Sequence, residues 1–336
     1  MKEQNNNEPN SILPELKESK KMLVIGYNSM IASRFLDLTG ESRVVGFDYQ
    51  NAKTKTKFPS EQLNIVTATA DEIKNVFKEY LGEYVVNFVA QTNVDLAENV
   101  GDKDNPEGLT YKLNVGVVKK LADVCREFNM TLVHFSTDFV FDGKKGPYAE
   151  DDKTAAARSD VGWYGWTKKL AESELMRSQV NHLIVRTAYP YRASFEGKGD
   201  FVRNILAGFK SKDLYPMFVN QLLTPTYIDN LAKALDILIK NKKTGIWHVV
   251  DNTTLSAYDA ARIIAQIFGF DPNLVPKGDL FDWQLKNGDR AKRPPSGGLK
   301  NDKLQKYMKD YDFQMQDFQN SLQSLKKQIQ TQKEVS

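Results

Sequence analysis

Met22-Leu-Val-Ile-Gly26-Tyr-Asn-Ser29-Met-Ile-Ala32 decides the fold: an apolar run of strand length breaks at a glycine and passes straight into the helical pattern of Ile31 and Phe35. This is the strand, tight turn and helix of a mononucleotide-binding unit. Small residues recur every three positions, at Gly26, Ser29 and Ala32. They let the backbone turn tightly and let a pyrophosphate approach the helix N-terminus. Only the first is glycine, so taken alone the stretch also reads as a plain strand-to-helix turn.

Outward from this unit, strand-like runs follow at Val44-Val-Gly-Phe47, near Leu63 to Val66, and at Tyr84 to Phe88, Thr131 to Phe135 and His182 to Val185. Helical stretches such as Leu109 to Phe128 and Gly162 to Arg177 separate them. The alternation predicts an α/β protein with a Rossmann-type, doubly wound parallel sheet. After Arg186 the pattern is interrupted by Pro190, Pro216 and Pro225, although Tyr227 to Ile239 and Ala257 to Phe268 still read as amphipathic helices. A smaller C-terminal α/β lobe for substrate is expected there. The division reads as a tail at 1–20, an NAD(P)-binding domain at 21–186, a mainly substrate-binding lobe at 187–312 with segments returning to the first domain, and a polar tail at 313–336. That last tail, rich in Gln, Lys and Ser, reads as a frayed, solvated helix. No internal repeat is present.

The 336 residues carry 46 basic and 43 acidic side chains, a net +3 without a concentrated basic field. Nucleic acid is therefore not an expected partner. Cys125 is the sole cysteine, which excludes an intrachain disulfide and suits a reducing compartment. The first twenty residues lack the apolar core of a signal peptide, and no apolar run is long enough to span a bilayer. A cytoplasmic protein without a membrane partner is expected.

Asp48 closes the second strand, 22 positions after Gly26, where a carboxylate holds adenosine ribose hydroxyls. Its charge favours NADH over NADPH, while Lys53, Lys55 and Lys57 nearby could reverse that preference. Tyr164 and Lys168 lie one helical turn apart on one face, so that a cation can act on a phenol. Tyr49 and Lys53 have the same spacing but sit in a polar loop. A tyrosine of ordinary pKa, near ~10, needs a neighbouring positive charge to act at neutral pH, and Lys168 is the expected source. The hydroxyl of Thr137, or of Ser136, would hold a substrate carbonyl oxygen. His134, His182 and His248 are scattered through apolar runs and read as core residues, so no metal is assigned; Trp163 and Trp166 read as packing residues.

Phe135-Ser-Thr-Asp-Phe-Val-Phe-Asp-Gly143, Gly146-Pro-Tyr-Ala-Glu-Asp151 and Tyr164-Gly-Trp-Thr-Lys168, in this order, resemble the dTDP-4-dehydrorhamnose reductase family of extended short-chain dehydrogenase/reductases. Asn87 to Glu98 and Leu113-Asn114 upstream continue the resemblance. Downstream it runs through Ile184 to Thr187, Thr224 to Tyr227, Asp229 to Ala232, Gly245 to His248, Arg293 to Leu299 and Lys303-Leu304. It spans roughly Lys21 to Tyr307. The resemblance implies an NADH- or NADPH-dependent reductase of a nucleotide-linked 4-keto-6-deoxysugar, in dTDP-rhamnose or other polysaccharide biosynthesis, and by analogy a homodimer. It implies Thr137, Tyr164 and Lys168 as the catalytic set. Gly26, Asn28, Ser29, Met30, Ile31, Asp48, Ala90, Thr92, Tyr164 and Lys168 would contact the cofactor. Val94, Thr137, Asp138, Tyr189, Tyr191 and Arg293 would contact the substrate. Tyr189 stands where the family carries a tryptophan, which leaves the sugar open. A related 4,6-dehydratase would need a glutamate beside Asp138, where Phe139 stands. A nucleotide-sugar epimerase, or a non-catalytic cofactor-binding partner like the methionine adenosyltransferase beta subunit, are the alternative readings.

Overall fold

The computed structural model describes residues 22–39, 44–50, 56–80, 82–288 and 290–335. Seven strands form one parallel sheet: β1 (Met22–Ile25), β2 (Val44–Asp48), β3 (Ser60–Gln62), β4 (Tyr84–Asn87), β5 (Thr131–Thr137), β6 (His182–Thr187) and, beyond four two-residue strands, β11 (Gly245–His248). The order is β11-β6-β5-β4-β1-β2-β3. The order reverses between β1 and β4, and in such sheets ligands bind beyond the strand C-termini at that switch.

Alternation along the strands gives each face its own core. Val24, Val86, Val133 and Val185 face α1 (Met30–Thr39), α7 (Ile228–Lys240) and α10 (Asp302–Met308). Leu23, Ile25, Phe47, Val85, Leu132 and Ile184 face α2 (Ala70–Tyr80), α4 (Val117–Glu127) and α5 (Trp163–Arg177). Helices therefore cover both faces, as a fully parallel sheet requires. A one-turn helix, α3 (Leu109–Tyr111), leads into α4 through a five-residue π turn at Lys112–Gly116.

A third core joins α6 (Phe201–Ser211), α8 (Ala257–Phe268) and α11 (Phe318–Val335). Around it lie the short strands β7 (Pro190–Tyr191), β8 (Met217–Phe218), β9 (Leu222–Leu223), β10 (Thr226–Tyr227), β12 (Leu255–Ser256) and β13 (Lys277–Gly278), and the short helix α9 (Leu280–Lys286). Ser256 caps α8 by accepting from Asp259 N at 3.0 Å, and Gly269 ends it at φ +82°. No helix among the described residues is long and apolar enough to cross a membrane.

Two sequence expectations change. The third strand is Ser60–Gln62, pairing with Gly46–Asp48, whereas the apolar residues Leu63 and Ile65 lie in the turn after it and pack into the α2 side of the core. The C-terminal segment is helical but not a solvated tail: Phe318, Leu322 and Leu325 are fully buried. Each such burial contributes about 1.5–3 kcal/mol, enough to dock the helix. A polar node fixes it further. Asp251 accepts from Tyr227 N at 3.0 Å, Asn230 Nδ2 at 2.8 Å and Ser321 Oγ at 2.8 Å, and Asn230 Nδ2 also donates to Ser321 Oγ at 3.0 Å. The expected tail at 1–20, and Lys53 and Lys55, lie outside the described residues.

Candidate active site

The turn after β1 meets the demands of close packing through one glycine. Gly26 has φ +80°, and a Cβ there would lie 3.0 Å from Val89 Cγ2 and 3.3 Å from Val89 N. Any side chain would push this turn away from the loop that follows β4. Ser29 then accepts from Ala32 N at 3.3 Å, which caps α1 in place of the second glycine of the fingerprint. Asp48 is buried at the end of β2, where its Oδ2 accepts from Asn28 N at 3.1 Å. Burial holds its carboxyl above the ordinary range, and the Asn28 and Gln50 backbone amides oppose that. The turn, the helix N-terminus and the carboxylate thus occupy one corner, which fits a dinucleotide. Met30 and Ile31 begin α1, with Arg192 Nη1 donating to Met30 O at 2.9 Å and to Ser33 Oγ at 2.8 Å. Ala90 is half-buried; Thr92 is exposed and accepts a hydrogen bond from Lys198 Nζ. Lys57 is exposed.

Across the switch point, β5 delivers Thr137. Its hydroxyl donates to Asp138 Oδ1 at 3.1 Å and accepts from Phe139 N at 3.3 Å, capping the turn at Asp138–Val140. Thr137 also lies close enough to Tyr164 to act on its phenol, whereas among the described residues buried Ser136 finds no partner for its Oγ. The choice left open by the sequence therefore falls on Thr137 as the neighbour of Tyr164. Gly165 allows the approach of the two segments: a Cβ there would fall 2.2 Å from Phe139 O. Tyr164 packs edge-on to Phe139 with centroids 5.8 Å apart.

Lys168, one turn along α5, is buried. Burial pushes the Tyr164 phenol up to about 12, with Asp138 adding to the rise and Thr137 opposing it. Burial therefore favours the neutral phenol form of Tyr164. Burial likewise draws the Lys168 ammonium down to about 8, against the pull of Glu172. Asp138 is drawn up to about 6, again by burial first.

Asn114 was not assigned a role from sequence. Its Oδ1 accepts from Gln91 N at 2.9 Å and its Nδ2 donates to Thr167 Oγ1 at 2.9 Å, joining the loop after β4 to the helix of Tyr164 and Lys168. The π turn at Lys112–Gly116 contains this residue; such single-turn widenings are frequent at functional sites. In sequence it is hidden, because one wide turn barely disturbs the amphipathic pattern.

The expected substrate residues separate. Val94 is half-buried on the loop after β4. Arg293 donates to Asp95 Oδ2 at 2.9 Å and stacks over Trp283 at 4.4 Å. Tyr189 adopts φ +43°, a left-handed conformation costly for a bulky side chain, and its hydroxyl accepts from Gln221 Nε2 at 3.2 Å. Asp138 and Arg293 both act electrostatically on its phenol, so Tyr189 lies beside the site. Tyr191 does not. It is fully buried, stacked on Tyr227 and edge-on to Phe318, because its short strand turns it into the third core. Trp163 stacks on Tyr111 and Trp166 lies under Lys169 Nζ at 4.5 Å. His134 and His248 are buried and His182 is half-buried.

The family model described as RmlD substrate binding domain matches residues 20–331. The probable low-salt glycan biosynthesis reductase Agl14 of Haloferax volcanii is 27% identical over 267 residues, 77% of this chain and 84% of that protein. A dTDP-4-dehydrorhamnose reductase of Mycolicibacterium smegmatis is 34% identical over 201 residues, 58% of this chain and 57% of that one. Among solved structures, a dTDP-4-dehydrorhamnose reductase from Clostridium acetobutylicum superposes with TM-score 0.75 at 26% identity, covering 92% of this chain and 99% of that chain. One from Bacillus anthracis in complex with NADP gives 0.76 at 21% identity, with the same coverage, a likeness of fold.

Proposed function

The chain belongs to the RmlD substrate binding domain family, and on that premise we propose that it is an NAD(P)H-dependent reductase of a nucleotide-linked 4-keto-6-deoxysugar. What supports this reading is Thr137 at the end of β5, Tyr164 near the start of α5 and buried Lys168 one turn along it, at the same C-terminal edge of the parallel sheet as the Gly26 turn. The relatives' names as dTDP-4-dehydrorhamnose reductases support a dTDP-linked substrate.

Gly26, Asn28, Ser29, Met30 and Ile31 would hold the pyrophosphate, Asp48 the adenosine ribose, and Ala90, Thr92 and Lys168 the nicotinamide half. The nicotinamide cofactor, when bound, supplies the hydride that adds to C4 of the keto sugar. Thr137 turns its hydroxyl toward the keto oxygen and fixes it beside Tyr164. Tyr164 gives its phenolic proton to the oxygen as charge develops there, and the phenol form that burial favours suits a proton donor. Lys168 then faces a phenolate that it stabilises until the proton is restored. Val94, Asp138, Tyr189 and Arg293 bound the sugar and its diphosphate. Asp48 favours NADH, since a 2′-phosphate would meet its carboxylate.

The deciding experiment follows oxidation of NADH and of NADPH by the purified protein with dTDP-4-dehydrorhamnose and related nucleotide 4-ketosugars. Turnover with one of them is expected. Cofactor binding without turnover on any would overturn the reductase reading in favour of an epimerase or a regulatory subunit.

A further inference from the structure

Tyr164, Lys168 and Glu172 stand at four-residue intervals on α5, so they form one row along the helix. Lys168 and Glu172 are both buried. Glu172 does not end the row: Arg186 on β6 grips it with two parallel bonds, Nε to Oε1 at 2.8 Å and Nη2 to Oε2 at 2.7 Å. Arg186 is itself buried and held from behind. Its Nη1 lies 3.3 Å from His248 Nε2, and its guanidinium lies 5.0 Å from the Phe141 ring centroid. In the sheet register Arg186 pairs with Ser136, next to Thr137.

Arg186 thus holds both oxygens of a buried carboxylate that lies one turn along α5 from the buried Lys168. The groups facing Lys168 are Tyr164 and Glu172 on its own helix, His134 on β5, and Arg186 on β6 behind Glu172; Asp138 lies on the Tyr164 side. His134 and His248 add no positive charge, because burial holds both well below the ordinary histidine range. Glu172, one helical turn from Lys168, favours its ammonium form. An ammonium taken out of water needs such a partner to stay charged.

Building on the reductase reading, we propose that Glu172 is a positioning residue that keeps Lys168 charged at the site, and that Arg186 sets how strongly it does so by competing for the same carboxylate. Lys168 then meets the phenolate left on Tyr164 as a cation, with its charge decided from a point two helical turns from the phenol. A bidentate grip also keeps Glu172 from swinging towards Lys168 and collapsing the row into a tight pair.

The test reads Lys168 itself. In protein labelled with 13C-lysine, the Lys168 side-chain signal is identified by its loss in K168M and followed against pH, with folding checked by circular dichroism. Glu172→Gln should lower the Lys168 midpoint by about one unit or more, and the alkaline limb of turnover should move the same way. Glu172→Asp, which disturbs packing but keeps the charge, should hold the midpoint near wild type. Arg186→Met should raise it, because Glu172 then serves Lys168 alone. An unmoved midpoint in folded E172Q, or one that does not rise in R186M, overturns the proposal. If E172Q fails to fold around an unpaired Arg186, R186M decides by itself. A wild-type protein silent on every keto sugar would sink the reductase reading while leaving the Lys168 titration to judge Glu172.

Discussion

Glu172 and Asp251 are both buried carboxylates, and the molecule accommodates them in opposite ways. Glu172, beneath the site, is gripped by the Arg186 guanidinium and lies one helical turn from the Lys168 ammonium, which its charge favours. Asp251, under the C-terminal helix, is met by neutral donors: a backbone amide, an asparagine amide and a serine hydroxyl. Charge meeting charge keeps ions in place where a reaction needs them. Dipoles meeting charge hold two segments together but leave the desolvation of the carboxylate less completely offset. Burial accordingly pushes the Asp251 carboxyl up to about 7. One region is built to carry chemistry and the other to hold the fold, and variants in each should separate rate from stability.

The largest effect is expected on the chemical side. Tyr164→Phe should lower kcat by roughly 10²–10⁴-fold with the melting temperature unchanged and cofactor binding, read by fluorescence, retained. A variant with wild-type turnover would break the division at its strongest point. On the structural side, Phe318→Ala should cost about 3–5 kcal/mol in urea unfolding, since it empties a fully buried site where α11 meets Tyr191. A loss near zero would mean that α11 is peripheral after all.

Asp251→Asn should cost about 1–3 kcal/mol, because an amide cannot accept from all three donors. Its pH dependence sharpens the comparison. The folded Asp251 keeps its proton up to about 7, whereas an unfolded aspartate releases it near ~4. Its contribution to stability is therefore fully present in acid and is lost as pH rises from about 4 to 7. The deficit of the asparagine variant should shrink between pH 5 and pH 8; a deficit that grows would reverse the assignment. Ser321→Ala, which removes one donor from the same node, should cost about 1 kcal/mol.

The same contrast explains what the sequence could disclose. The β1 turn, the alternation of strand and helix, and the Tyr164–Lys168 spacing are local patterns, each legible from neighbours in the chain. The α11 core face was also present as Phe318, Leu322, Leu325 and Ile329, at helical spacing, but the glutamines and lysines between them drew the reading towards solvent. Asn114 and Glu172 gave no such signal. Their roles depend on Gln91, Thr167 and Arg186, partners that only the fold brings near. Tyr191 was expected at the substrate from the resemblance alone, and its strand of two residues is too short for alternation to say which side faces the core.

The seventh strand has a consequence for the order in which the molecule can form. β11 pairs with β6 although nearly sixty residues lie between them, and α7, just before it, covers the sheet against α1. A nascent chain that has left the ribosome only as far as Arg186 has six of the seven strands but not the lid for Phe35 and Leu36. It must wait with that surface wet until the second lobe is synthesised around it. The two lobes are therefore interleaved in time, and a fragment cut at residue 186 is expected to seek chaperones or aggregate rather than fold.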